Sequence, residues 1–227
     1  MRKTIWSILA LAAAISCVMN AWAEDPQPDP TDQTPSVEQR QQHRKELFRA
    51  AIDKKDYDKA VEILEEMVAD KDVIDDEKFM AQFFQFRIFA EEKLDGAKAC
   101  PIAKKLVELR NDDPDLLNYL AWTILDKEGL KNRDFDVALF IAQKAAEISK
   151  NKNPAILDTL ARAYFEKGDL DKAIETQSLA IEQCTAADQP EELKQHLDAM
   201  KPDLEKTLEK YKAEKEKKAE KQASEEK

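Results

Sequence analysis

From Val37 onward the apolar residues recur at helical spacing. Leu117, Leu120, Ala121 and Ile124 are separated by 3, 1 and 3 positions, and so are Leu157, Leu160, Ala161 and Tyr164; Arg44, Leu47, Phe48 and Ala51 follow the same rhythm more loosely. Such spacing puts one apolar stripe on one helix face. A second kind of helix follows each of the first, with small residues along its seam: Ala138, Ala142 and Ala145 in one, Ala173, Gln177 and Ala180 in another. Between the two kinds stands a recurring turn, Asp–large apolar–Asp–x–Ala, at Asp56-Tyr57-Asp58-Lys59-Ala60, Asp134-Phe135-Asp136-Val137-Ala138 and Asp169-Leu170-Asp171-Lys172-Ala173. The first Asp is predicted to cap the new helix, and the second to sit in its first turn, where the helix dipole favours negative charge. The alanine marks a close helix crossing. The pattern predicts an all-α chain of helical hairpins.

Two stretches depart from this rhythm. Phe79 to Arg110 holds five of the nine phenylalanines (Phe79, Phe83, Phe84, Phe86, Phe89) and places Arg87 where a small residue belongs, so its register is open by two residues. Lys127 to Asn132 reads as an insertion of about five residues in a hairpin turn. Beyond Pro190 a last stripe (Leu193, Leu197, Met200, Leu204, Leu208, Tyr211) predicts a terminal helix, with Pro202 as a kink or a fresh start, followed by a tail of Lys, Glu, Ala, Gln and Ser.

These residues resemble the tetratricopeptide repeat (TPR) family, whose hairpins repeat about every 34 residues. Pro154 to Ala187 fits best: Leu160-Ala161 stands in the Leu-Gly slot, Tyr164 in the Tyr slot, Gly168 in the turn, and Ala173 and Ala180 in the two Ala slots. Leu157 replaces the usual Trp, and the terminal Pro is absent. The resemblance implies a TPR-like helical-hairpin solenoid of about four repeats with a C-terminal capping helix. The organisation it suggests is a repeat domain over 37–187, a cap over 188–211 and a charged tail over 212–227. In the family the first helices of the repeats line a concave groove. Carried over by position, the partner-binding residues are Lys45 and Arg49, Phe84 and Ile88, Asn118 and Trp122, and Asp158, Arg162 and Phe165. Such a groove suits an extended peptide or a partner helix. A narrower resemblance joins Leu117-Asn118-Tyr119-Leu120-Ala121-Trp122, Arg133-Asp134-Phe135-Asp136-Val137-Ala138 and Ile156 to Leu170 to the helical extension of some exported bacterial thioredoxin-like proteins. No Cys-x-x-Cys and no run of strands accompanies it, so it implies shared architecture and, as an alternative function, an accessory role beside a thioredoxin-like partner.

The N-terminus adds an address. Arg2 and Lys3, the uncharged run Ile5 to Val18, and Ala21-Trp22-Ala23 before Glu24 have the order of a secretory signal peptide cleaved after Ala23. This predicts a periplasmic or secreted protein whose residues 24–36 form a proline-rich, disordered leader. Lipidation at Cys17 is the competing reading. The run is too short for a membrane span.

Charge and composition narrow the function further. The chain is at −11, and loss of residues 1–23 would remove two more positive charges, which opposes nucleic acid and anionic lipid as partners and favours proteins. Only three glycines (Gly96, Gly129, Gly168) exist, too few and too scattered for a phosphate-binding loop. His43 and His196 are isolated and form no metal-ligand spacing. The acidic pairs Asp75-Asp76 and Asp112-Asp113 fall in turns, where capping explains them. Neither an enzyme, a metal site nor a cofactor is predicted. Cys100 and Cys184 lie two repeats apart, beyond the roughly 7 Å Cα separation a disulfide tolerates. Cys100 is read as buried in the seam, the alternative being a thiolate activated at a helix N-terminus.

Overall fold

The computed structural model describes residues 35–186 and 191–225. The signal-peptide reading and residues 24–34 of the leader lie outside them. The described residues form helices α1 (Val37–Asp53), α2 (Tyr57–Ala69), α3 (Asp75–Arg87), α4 (Gly96–Leu109), α5 (Pro114–Asp126), α6 (Phe135–Ile148), α7 (Pro154–Glu166), α8 (Leu170–Cys184) and α9 (Glu191–Glu225), with a π-helical turn, Ile88–Glu92, extending α3. No helix among them is long and apolar enough to cross a membrane.

Helix boundaries follow from the caps. Ser36 and Gln39 form a reciprocal capping box: the Gln39 amide donates to Ser36 Oγ at 3.2 Å, and the Ser36 amide donates to Gln39 Oε1 at 2.9 Å. The first Asp of each repeated turn is an N-cap. Asp56 accepts from the Lys59 amide, Asp134 from those of Asp136 and Val137, and Asp169 from that of Lys172. Asp113 and Asn153 cap α5 and α7 the same way, each ahead of a proline at the first helical position. The alanines of the turn motif, Ala60, Ala138 and Ala173, are fully enclosed, as close crossing requires.

Each helix from α2 onward packs on the next, and α5 also packs on α7, α4 on α6, and α7 on α9. This is the neighbour-on-neighbour arrangement of a helical-hairpin solenoid. Both sequence stripes are interior: Leu117, Leu120, Ala121 and Ile124 are buried, as are Leu157, Leu160 and Ala161. One apolar cluster runs from Ala51 to Ala163, and two smaller ones hold α9 against α7 and α8 through Leu197, Leu204 and Tyr211.

The two irregular stretches meet each other. The π turn carries one extra residue per turn, so the residues beyond Arg87 are rotated out of the phase set by α3. The open register of this repeat has that physical cause, and Ile88, placed with Phe84 in the groove by sequence, is only 4% exposed. The insertion after α5 crosses to the turn between α3 and α4. The Lys131 amide donates to Leu94 O at 3.0 Å, and the Gly96 amide donates to Lys131 O at 2.8 Å. A Cβ on Gly96 would stand 2.4 Å from Lys131 O, so only glycine fits. Arg133 closes the insertion: its guanidinium donates to the carbonyls of Ile124 (3.2 Å), Leu130 (3.1 Å), Leu125 and Lys127, satisfying the C-terminal end of α5.

At the C-terminus α9 runs unbroken through Pro202 and on to Glu225, so the charged tail continues the capping helix as far as the described residues extend. Lys215 bonds Asp171, so the first turn of the charged tail is tied to α8. Leu193, assigned to the apolar stripe, is 46% exposed.

Candidate partner-binding face

The first helices of successive hairpins lie side by side, and each neighbouring pair shares a side-chain contact. Lys45 on α1 meets Glu77 on α3 at 2.9 Å. The hydroxyl of Tyr119 on α5 donates to Glu91 in the π turn. Arg162 on α7 reaches Asp126 on α5 at 3.9 Å. Phe165 on α7 stacks on Tyr211 of α9, centroids 4.5 Å apart. The last contact puts α9 where the first helix of a further repeat would lie.

Between α1 and α3 the face is open. Phe48 and Phe84 touch at 5.5 Å between centroids, and a cavity lies on either side of them. The larger, about 330 Å³, is lined by Lys45, Phe48, Leu64, Met67, Met80 and Phe84, among others. The smaller, about 190 Å³, is bounded by Ile52, Tyr57, Ile88 and Glu92. Met80, at the rim of the larger cavity, is 45% exposed. Ring contacts continue inward from Phe84 to Phe83 (6.4 Å) and from Phe83 to Tyr119 (5.7 Å). Below them Arg87 holds Glu91 at 2.9 Å. Burial favours protonation of Glu91, but the hydrogen bonds from Arg87 and Tyr119 outweigh it and keep the carboxyl below its ordinary value. Burial, reinforced by Glu91, pushes the Tyr119 phenol up to about 12, so this network stays in one charge state at neutral pH.

The residues named from sequence fall into three groups. Lys45 and Phe84 border the larger cavity, with Arg49 exposed one turn beyond Lys45 on α1. On α5, Trp122 is 39% exposed, and Asn118, one turn before it, has a buried Oδ1 that meets no hydrogen-bond donor among the described residues. On α7, Asp158, Arg162 and Phe165 are engaged inside the molecule. Asp158 accepts from Gln177 Nε2 at 2.9 Å, and the same amide donates to Leu204 O of α9 at 3.2 Å. Arg162 binds Glu166 at 2.7 Å. Phe165 is covered by Tyr211, with Lys210 Nζ 5.2 Å from its ring. Burial raises the Asp158 carboxyl, helped by the charges of Asp126 and Asp203 and opposed by the Gln177 hydrogen bond and Arg162. The sequence reading missed Phe48 and Met80 as cavity residues. By spacing Phe48 falls in a core stripe, and the phenylalanine cluster around Met80 is the signal in the sequence that points to the cavity.

Cys100 is buried and unbridged, its sulfur accepting from the Asp134 amide at 3.4 Å, and burial raises its thiol. Cys184 is also buried, unbridged and raised by burial.

No family model and no curated protein matches the chain. Among solved structures it is similar to the crystal structure of MamA protein, with 17% identity and a TM-score of 0.43 over 79% of this chain and 93% of that one. The architecture therefore stands on the helices of this chain.

Proposed function

We propose that this chain is an exported TPR-like binding module or adaptor, which holds a peptide or partner helix of another envelope protein along the first helices of its hairpins and catalyses no reaction. The observation that carries this reading is the row formed by the open α1–α3 cavities and the exposed indole of Trp122, apolar surface that the described helices leave uncovered. Uncovered apolar surface rimmed by charge is characteristic of protein contact sites. The signal-like N-terminus supports an envelope location, with Glu24 as the first residue of the exported form. The alternative, an accessory of thiol–redox chemistry, requires an exposed thiolate at Cys100; its burial and raised thiol speak against that role.

The test compares wild-type and Trp122→Ala chains as bait in envelope extract, with bound proteins identified by mass. A half-exposed aromatic anchor is worth ~2 kcal/mol, roughly a thirtyfold loss of affinity on truncation. We expect a specific partner to disappear from the Trp122→Ala capture while helicity and melting temperature hold. An unchanged set of captured proteins, or a steep drop in melting temperature, would remove Trp122 from the binding face.

A further inference from the structure

The face just described is uneven along its length, and the unevenness defines a partner. At the α1–α3 end the surface is apolar and its charges are mostly satisfied internally. Lys45 is paired with Glu77, Asp76 with Arg110, Arg87 with Glu91, and Glu92 accepts from the Tyr57 hydroxyl. Arg49 and Asp53, one helical turn apart on α1, form no ion pair among the described residues and are opposite in sign. Toward α5 and α7 the apolar surface narrows to Trp122, and the charge turns acidic. Asp126 and Glu166 share one cation, Arg162, whose tight bond is to Glu166, leaving Asp126 at 3.9 Å and half exposed. Asp126 follows Trp122 by one turn on the same helix face. The whole chain, at −11, draws cations toward this acidic stretch.

We propose that this face docks a protein segment that combines a large apolar side chain with a lysine or arginine a few residues away. The apolar side chain enters the α1–α3 cavity, and the cation lies over the Trp122 indole beside Asp126. This rests on the binding-module reading and names the chemistry of its partner. The larger cavity, about 330 Å³, sits at the bottom of the range of roughly 300–1,000 Å³ typical of small-molecule pockets. It is open on one side, and its lining offers apolar contact rather than a set of convergent polar groups. That suits one anchoring side chain better than a polar metabolite. An exposed indole face next to a carboxylate attracts a cation twice, through the ring quadrupole and through charge. An acidic residue in the same place would meet Asp126 and the net charge of the chain with like sign.

The experiment uses the chain without residues 1–23 and three fluorescein-labelled peptides: one built from Leu, Lys and Ser, a twin with Glu for every Lys, and a twin with Ser for every Leu. Fluorescence anisotropy is expected to show saturable binding of the first and at least ~10-fold weaker binding of both twins, a difference of about 1.4 kcal/mol. Met80→Glu at the cavity rim, Trp122→Ala and Asp126→Asn should each weaken the first peptide by about tenfold while circular dichroism is unchanged. Equal binding of the Ser twin means diffuse charge attraction and overturns the anchor. Equal binding of the Glu twin, with Met80 and Trp122 still required, overturns the cationic partner and leaves the binding module standing. Binding that ignores both Met80 and Trp122 overturns both. Failure of all three peptides to bind overturns the proposal.

Discussion

The two ends of the array are built from the same hairpin and finished differently. Among the described residues the row of first helices begins with α1, and the space between α1 and α3 is open, with Met80 at its rim. At the fourth hairpin the chain supplies one more helix. There Tyr211 covers Phe165, Leu204 and Leu197 bury against α8, and Gln177 ties Asp158 to the backbone of α9. Positions that correspond in the repeat therefore have opposite fates. Lys45 and Phe84 stand beside open space, whereas Asp158, at the corresponding position, is spent on internal structure. In a repeat protein, a residue's place within the repeat does not decide its role; whether a further element stacks upon it does.

The contrast can be broken from its closed end. Tyr211 is nearly fully buried and stacked, so Tyr211→Ala should cost about 3–5 kcal/mol, read as a lower denaturant midpoint. A change below ~1 kcal/mol would mean that α9 is not seated as described. In the turn after α5, Arg133→Ala removes a donor from four carbonyls, of which Lys127 O keeps the Leu130 amide, and should cost about 2–3 kcal/mol. A Lys in its place, with a single ammonium group, should recover only part of the loss.

A smaller effect is expected from pH. The Asp158 carboxyl is raised in the folded chain, first by burial and then by Asp126 and Asp203. The folded state therefore binds that proton more tightly than the unfolded state does. Asp158 weakens the fold fully above its folded value, and the penalty is relieved as pH falls through that value toward the ordinary carboxyl range. Asp158→Asn keeps an acceptor for Gln177 and removes the charge, so it should be more stable than wild type at neutral pH, with the gap closing on acidification. Taking the difference between the two proteins removes the opposing contribution of Glu91, which is lowered. A gap independent of pH would contradict the assignment. Smallest of all, Met80→Ala at the open end should change stability by less than ~1 kcal/mol, since much of the side chain already meets solvent. A loss of several kcal/mol would show that the cavity is closed in solution.

Much of this was legible in local pattern. Hairpins, Asp caps and enclosed alanines are decided within a few residues of chain, and the stripe of Leu117, Leu120, Ala121 and Ile124 announced its own burial. What escaped depends on residues far apart in sequence. No glycine or proline marks the π turn at Ile88, so the register of the second repeat was open. Nothing near Arg133 shows that it will meet four carbonyls, because three lie on the end of α5 and the fourth, of Leu130, in an insertion that must first fold against it. The coverage of Phe165 required knowing that α9 continues past Pro202 and returns along α7 and α8. The open cavity at Phe48 depends equally on how α1, α2 and α3, distant in sequence, come together around it.

The crossing of Lys131 onto Leu94 and Gly96 bears on how the molecule comes apart. An array whose units touch only through side chains can unravel one unit at a time, and amide hydrogen exchange would then fall in steps along the chain. Here the backbones of the second and third hairpins are themselves hydrogen-bonded, and one cannot open without breaking the amide pairing of the other. The two hairpins should exchange as one cooperative block, with frayed protection confined to the first hairpin and to the distal turns of α9.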